Sequence, residues 1–208
     1  MSEWLRHTSC GEFTALLASS APAPGGGGAA ALMGALAASL CSMAAVLTAG
    51  RKKYADVKGE LDEIVSSAQT LREKLLELID ADAEGFRPLA AAYSLPKDGS
   101  NYAEIMRAAT LTACEAPMEI LRRCCEAVDL LERTLEIGSP ALISDVGCGA
   151  AACRAAMESA AMNVFINTRT LKGDGAAEAL EKEAAERLNE YIPRVQTVAD
   201  RAMAYLRR

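Results

Sequence analysis

The sequence predicts an all-α protein, a multihelical bundle of about six helices, some of them long and kinked. Hydrophobic residues make up 51% of the 208 residues but aromatic residues only 4%, so the core must consist mainly of Ala, Leu, Val, Ile and Met. Segments rich in β-branched and aromatic residues, which favour strands, are rare. Apolar residues recur at the helical period of 3.6 in most segments between Gly and Pro breaks. We expect one helical domain over residues 1–208.

The first two helices are predicted on either side of a Pro/Gly loop. Ser9-Cys10-Gly11-Glu12 has the form of a capping box, which predicts a short helix over residues 10–19. The loop over residues 22–28 ends in four glycines, and a run of small uncharged residues then predicts a helix over 27–48. Glycine is costly to order, so such a loop indicates a place where another group approaches the backbone closely.

Four further helices are predicted from apolar periodicity and from Gly/Pro punctuation. The third covers residues 55–93 with a bend near Gly85 and Pro88, and the fourth covers 101–138 with a kink at Pro117. The fifth, again rich in small residues, covers 140–170. The last begins after the break at residues 172–175, continues to residue 206 and contains Pro193.

Composition excludes several classes of function. The net charge of −6 argues against a nucleic-acid-binding protein. The seven cysteines are odd in number and form no C-x-x-C pair, and His7 is the only histidine, so we expect reduced thiols in a cytoplasmic protein and no metal site. No charged residue occurs between Phe13 and Gly50, but the Pro/Gly cluster divides this run. A buried core helix is therefore favoured over a membrane span.

Asp82 interrupts an apolar stripe on the third predicted helix, formed with residues 71, 75, 79 and 86. The carboxylate is expected to face the core, with Asp80 and Glu84 turned away. Burial raises the pKa of a carboxyl group and makes it a useful general acid or base near neutral pH. The alternative is an Asp that caps a neighbouring helix or pairs with a Lys or Arg.

Asp145, Asn163 and Asn167 lie on one stripe of the fifth predicted helix, with Gly and Ala between them. The two Asn residues are four positions apart, so their amides can converge on one partner. A floor of small residues leaves room either for a ligand or for another closely packed helix. In the second case the Asn pair would be bound to a neighbouring backbone.

The glycine loop offers free N–H groups and the positive end of a helix dipole, which suit an anion, a carbonyl or a flat ring. It is not a Walker loop, because no Gly-Lys-Ser/Thr follows, and no strand precedes it as in a Rossmann turn. Lys52, Lys53 and Lys97 are candidates to bind carboxylates, although surface lysines are most often simply solvated.

Several short motifs in this order resemble the cyclodeaminase/cyclohydrolase family. It includes the cyclodeaminase half of formiminotransferase-cyclodeaminase and the bacterial methenyltetrahydrofolate cyclohydrolases. The motifs are Pro22-x-Pro24-Gly25-Gly26-Gly27, Thr48-x-Gly50-Arg51-Lys52-Lys53-Tyr54, Asp80-x-Asp82 with Phe86, Leu95-Pro96-Lys97, Ser144-Asp145 and Asn163-Val164-x-Ile166-Asn167.

The resemblance implies an all-helical enzyme that works as a homodimer or a dimer of dimers. Its substrate would be a tetrahydrofolate derivative, with no metal or other cofactor. Asp82 is the first candidate for proton transfer and Asp145 the second, or an orienting partner. The implied folate-binding residues are Pro24, Gly25, Gly26, Gly27, Lys52, Lys53, Lys97, Ser144, Asn163 and Asn167.

Two reactions fit the resemblance. One hydrolyses 5,10-methenyltetrahydrofolate to 10-formyltetrahydrofolate, and the other converts 5-formiminotetrahydrofolate to the methenyl compound and ammonia. The sequence contains no formiminotransferase part, which favours the first without deciding between them. The alternative from another class is a non-catalytic folate-binding or helical assembly protein. A shared cavity for Asp82, Asp145 and the glycine loop would favour the enzyme.

Overall fold

The computed structural model describes residues 4–208, and these residues form helices without any strand. The helices are α1 (Cys10–Leu17), α2 (Gly26–Ala49), α3 (Lys58–Ala92), α4 (Tyr102–Ile137), α5 (Ile143–Thr168) and α6 (Gly175–Leu206). Short 3-10 segments cover Leu5–His7, Lys52–Val57 and Pro140–Leu142. The predicted all-α bundle of six helices is confirmed.

Local sequence explains where the helices begin. Ser9 accepts a hydrogen bond from the Glu12 N–H and the Glu12 carboxylate accepts from the Ser9 N–H, so the predicted capping box is present at α1. Asp174 caps α6 by accepting from the N–H groups of Ala176 and Ala177. The third helix starts at Lys58 rather than at residue 55, because residues 52–57 form a 3-10 segment with a non-helical Tyr54.

Helix α2 packs mainly against α3 and α5 and leaves one face exposed. Its small residues allow close approach: a methyl group at Gly34 would lie 2.9 Å from Sγ of Cys124 on α4. By length and composition α2 could cross a membrane, but half of its most apolar window is buried inside the bundle. The helix therefore fits the predicted role of a core helix.

The cysteines of the described chain are all free, and five of the seven are buried. Burial raises the pKa of the Cys41 thiol to about 11. Within residues 4–208 no group of three or more His, Cys, Asp or Glu side chains is arranged to hold a metal ion. The buried thiols thus pack as small apolar groups.

The two ends of the bundle carry different parts of the predicted site. One end brings together the glycine loop, the last turns of α3 and α5 and the first half of α4. The other end carries the 3-10 segment with Lys52 and Lys53 and the start of α5 with Ser144 and Asp145. Helix α2 separates them by its 24 residues, about 36 Å at 1.5 Å per residue.

Candidate active site

A cavity of about 300 Å³ opens at the glycine-loop end of the bundle. Its walls come from the loop and α2, from α3, from α4 and from α5. The lining residues are Pro22, Gly25, Gly26, Gly27, Asp82, Phe86, Tyr93, Ala113, Asn163, Ile166 and Asn167. A groove between α3 and α4 is larger, about 470 Å³, but the smaller cavity combines a titratable group, two amides and aromatic walls.

Asp82 is partly buried on α3, with its carboxylate against the first turn of α2. Desolvation raises its pKa from 3.8 to about 6, and the Gly28 N–H, acting as a donor to the carboxylate, lowers it by a smaller amount. The sequence left open whether Asp82 is a general acid or base or caps a neighbouring helix, and its position allows both. Asp82 interacts with the N-terminus of a neighbouring helix, which has no capping side chain of its own, and it faces the cavity as a group that titrates near neutral pH.

The glycines make room for side chains of the protein itself. A methyl group at Gly27 would lie 2.0 Å from Oδ1 of Asp82, and one at Gly26 would lie 3.0 Å from Nδ2 of Asn163. Glycine at position 27 is therefore required for the close approach of the carboxylate, whereas a methyl group at position 26 would displace the amide by only a few tenths of an ångström. Pro24 is buried beside them, with its Cβ 3.3 Å from where a Gly28 methyl group would be.

Asn163 and Asn167 both line the cavity, and both amide nitrogens donate to backbone carbonyls. Nδ2 of Asn163 donates to the Ser159 carbonyl at 2.8 Å, and Nδ2 of Asn167 donates to the Ala113 carbonyl of α4 at 3.3 Å. Only Asn167 is bound to a neighbouring backbone, as one alternative expected, because Asn163 donates to its own helix; both residues also line the cavity. The amides converge on the cavity rather than on one protein partner.

The remaining predicted site residues do not line this cavity within one chain. Asp145 lies in the first turn of α5, 18 residues or about 27 Å before Asn163, and the exposed Ser144 lies next to it. Lys52 and Lys53 lie beyond the far end of α2, where the Lys53 ammonium contacts the ring of Tyr54. Lys97 is exposed in the α3–α4 connection, at the cavity end of the bundle.

Some residues that line the cavity were not predicted from the sequence. Phe86 appeared only on the apolar stripe and in a motif, and Tyr93, Ile166 and Ala113 were not chosen as site residues. The exposed Tyr93 and Ile166 supply aromatic and apolar surface. Their positions along α3 and α5 relative to Asp82 and Asn163 could have indicated them, because residues three, four, seven or eleven positions apart share one helix face.

The expectation that Asp80 turns away from the protein interior is wrong. Asp80 is only 5% exposed, while Glu84 is exposed as expected. The 3-10 segment Leu5–His7 packs on this side of α3, and Arg6 lies 3.4 Å from the Asp80 carboxylate. Residues distant in sequence cover this second face of α3, which periodicity along α3 cannot reveal.

Replacing Asp82 with Asn is expected to stabilise the protein at neutral pH. The pKa of Asp82 in the folded state is raised from 3.8 to about 6. Ionisation of the buried carboxyl group therefore lowers the free energy of unfolding as pH rises from about 4 through 6, and this loss is the cost of keeping Asp82. Asp82→Asn removes this cost, about 3 kcal/mol at pH 8 and roughly half of that at pH 5. Urea denaturation of both proteins at the two pH values measures the difference. A stability difference that does not change with pH would contradict the assignment.

Comparison with known proteins identifies the family. Residues 9–186 match the family model described as formiminotransferase-cyclodeaminase. The chain is 40% identical over 172 residues to the methenyltetrahydrofolate cyclohydrolase of Methylorubrum extorquens. The aligned region covers 80% of this chain and 82% of the relative. It is 29% identical over 211 residues to the formimidoyltransferase-cyclodeaminase of Sus scrofa, with 96% of this chain covered but only 38% of that longer protein.

A solved structure agrees with these sequence relatives. The crystal structure of formiminotetrahydrofolate cyclodeaminase from Thermotoga maritima superposes with a TM-score of 0.82 over 98% of both chains, at 29% identity. The resemblance inferred from the motifs is therefore confirmed, and the chain belongs to the formiminotransferase-cyclodeaminase family.

Proposed function

We propose that the protein is a folate-dependent one-carbon enzyme of the cytoplasm that hydrolyses 5,10-methenyltetrahydrofolate to 10-formyltetrahydrofolate without a further cofactor. The observation that carries the proposal is Asp82, a carboxyl group with a pKa of about 6 in the wall of a cavity. The 40% identity to a methenyltetrahydrofolate cyclohydrolase supports hydrolysis as the reaction.

The reaction needs a group that can both accept and donate a proton. Water adds to the cationic carbon between N5 and N10, and the Asp82 carboxylate accepts a proton from that water as the C–O bond forms. Asp82 then returns the proton to N5 as the C–N5 bond breaks, which leaves the formyl group on N10. The hydroxyl proton of the added water is released to solvent as the formyl C=O forms, so the cation and water give a neutral product and one proton. A pKa near 6 leaves Asp82 mostly ionised at pH 7 yet easily protonated, which suits both steps.

The cavity walls suit a flat, polar ring. Phe86 and Tyr93 offer aromatic surface and Ile166 apolar surface, while the amides of Asn163 and Asn167 offer hydrogen-bonding groups. A volume of about 300 Å³ matches the lower end of ordinary ligand sites, which suits the pterin part of a folate better than the whole molecule. Lys97, exposed in the α3–α4 connection, is the proposed partner of the carboxylates of the tail.

An absorbance assay tests the proposal. Purified protein mixed with 5,10-methenyltetrahydrofolate is expected to speed the loss of the methenyl absorbance, with 10-formyltetrahydrofolate as product. Because the ionised carboxylate acts as the base, kcat/KM is expected to rise with pH through about 6. A folded sample that accelerates neither this reaction nor ring closure would leave only the non-catalytic folate-binding or assembly protein.

Ring closure with loss of ammonia is the second candidate. The structural match to the formiminotetrahydrofolate cyclodeaminase of Thermotoga maritima favours it, and it would use the same proton transfer by Asp82. The same spectrophotometer separates the two. The methenyl absorbance would appear from 5-formiminotetrahydrofolate, together with ammonia, and the faster of the two reactions at equal substrate concentration is the main activity.

We further propose that the chain forms a homodimer through the outer faces of α2 and α5. The outer face of α2 carries Leu36, which is 52% exposed, with Met43, Val46 and Leu47, and the outer face of α5 carries Met162, which is 65% exposed. No charged residue lies on α2, and a set of exposed apolar side chains of this kind is typical of an interaction surface.

Antiparallel pairing of these faces about a two-fold axis would bring the Lys52–Lys53 and Asp145 end of one copy beside the glycine-loop end of the other. The predicted residues that lie far from Asp82 within one chain would then belong to the same site. Sedimentation equilibrium is expected to give a dimer for the wild type and a monomer for Leu36→Glu. Met203→Glu, at another exposed apolar position, is the control. A monomeric wild type would contradict the proposal.

A further inference from the structure

Pro117 is buried in the middle of α4 and changes the hydrogen bonding of that helix. Proline has no N–H, so the carbonyl four residues earlier loses its usual helical donor. Here that carbonyl belongs to Ala113, which forms part of the wall of the Asp82 cavity. The proline therefore leaves a backbone acceptor without its helical donor beside the site.

Asn167 uses this acceptor. Its Nδ2 donates to the Ala113 carbonyl at 3.3 Å, across the contact between α5 and α4. The amide also interacts with the Cys114 thiol, where it acts as a donor that partly opposes the raised pKa of that buried group. The bond to the Ala113 carbonyl directs the NH2 group toward α4.

The oxygen of the same amide is left for a ligand. In the part of the chain that the structure describes, Oδ1 of Asn167 accepts no hydrogen bond from the protein. Because a carbonyl only accepts hydrogen bonds, the bond to Ala113 also fixes which end of the amide faces α4. Asn163 is held differently, by the Ser159 carbonyl of its own helix, so only Asn167 depends on the backbone of α4.

We propose that Pro117 is a positioning residue for substrate binding, which acts by keeping the Ala113 carbonyl available to Asn167. The Asn167 oxygen, held in this orientation, accepts a hydrogen bond from an N–H or amino group on the edge of the substrate ring. The identity of that ring rests on the proposed function, whereas the link from Pro117 to Asn167 rests on α4 and α5 alone.

The other helix prolines separate this role from a general effect on helix shape. Pro88 in α3 and Pro193 in α6 are also interior positions of long helices, but both are exposed. Pro193 lies outside the cavity lining. Pro193→Ala is therefore a matched control, because it also restores an N–H inside a long helix but leaves the Ala113 carbonyl unchanged.

The first test uses the unliganded protein and needs no activity. The side-chain NH2 signal of Asn167 is identified in a ¹⁵N-edited NMR spectrum by its loss in Asn167→Asp. In Pro117→Ala the new N–H competes for the Ala113 carbonyl, so this signal is expected to move, while Pro193→Ala leaves it in place. Removing an interior helix proline restores a helix hydrogen bond, so Pro117→Ala is expected to fold. An unmoved signal would overturn the proposal.

The second test measures the effect on substrate. With 5,10-methenyltetrahydrofolate, Pro117→Ala is expected to raise KM about tenfold, roughly the value of one hydrogen bond, with a smaller change in kcat. In an Asn167→Ala background the same substitution is expected to have no further effect on KM. An equal tenfold increase in both backgrounds would overturn the proposal. A wild type without any folate turnover would instead refute the proposed function, and the NMR result would still decide whether Pro117 positions Asn167.

Discussion

Asp82→Asn is expected to lower kcat by a factor of roughly 10²–10⁴, the usual contribution of a positioned acid or base. Asn has the same shape as Asp, and its Oδ1 can still accept from the Gly28 N–H, so the start of α2 keeps its partner. The substitution removes only the group that titrates at about 6. We therefore expect a folded protein with a nearly unchanged KM, and the rise of kcat/KM with pH through about 6 is expected to disappear.

The control for this variant is Asp80→Asn. Asp80 lies two residues away on the same helix but faces Arg6 on the other side of α3, outside the cavity. It is expected to reduce stability, because it leaves the Arg6 guanidinium without its charged partner, and to leave kcat close to that of the wild type. A folded Asp82→Asn variant with wild-type turnover would show that Asp82 does not transfer the proton.

Gly27→Ala is expected to lower both stability and activity. Its Cβ would lie 2.0 Å from Oδ1 of Asp82, well inside van der Waals contact, so either the carboxylate or the start of α2 must move. Overpacking of this kind typically costs about 1–3 kcal/mol. Displacement of the catalytic carboxylate is expected to lower kcat at least as much as a misplaced catalytic group does, about 10²-fold. Thermal unfolding and the absorbance assay measure both effects.

The glycine loop provides a graded series around this prediction. A methyl group at Gly25 would meet nothing within 4 Å, and one at Gly26 would meet Nδ2 of Asn163 at 3.0 Å. Activity is therefore expected to fall in the order Gly25→Ala, Gly26→Ala, Gly27→Ala, with Gly25→Ala close to the wild type. A uniform loss across the three variants would mean that backbone flexibility of the loop, and not room for Asp82, is what the glycines provide.

The fold could be predicted because helices are specified by local sequence. Caps such as Ser9 and Asp174, Gly/Pro breaks and apolar periodicity act over a few residues, and they place the long helices within a few positions of where they occur. Periodicity along α3 also singled out Asp82, because a carboxylate on an apolar stripe is costly unless it has a partner or a function.

Other parts of the site could not be predicted from one helix at a time. The glycines were expected to let a ligand approach the backbone, but Gly26 and Gly27 accommodate the side chains of Asn163 and Asp82. Pro117 was expected only to kink its helix, whereas its missing N–H leaves an acceptor for Asn167. Both roles depend on contacts between helices that are far apart in sequence.

The sequence by itself thus determined the helices, the family motifs and the candidate carboxylate, because each depends on spacing within a short segment. Tertiary structure decided which candidates meet. It placed Asp82, the glycine loop and the Asn pair around one cavity, and it left Asp145 about 27 Å along α5 from Asn163. It also buried Asp80 under the segment Leu5–His7. The physical reason is that helix period gives the direction of a side chain, whereas the packing of α2 between α3 and α5 determines what that side chain contacts.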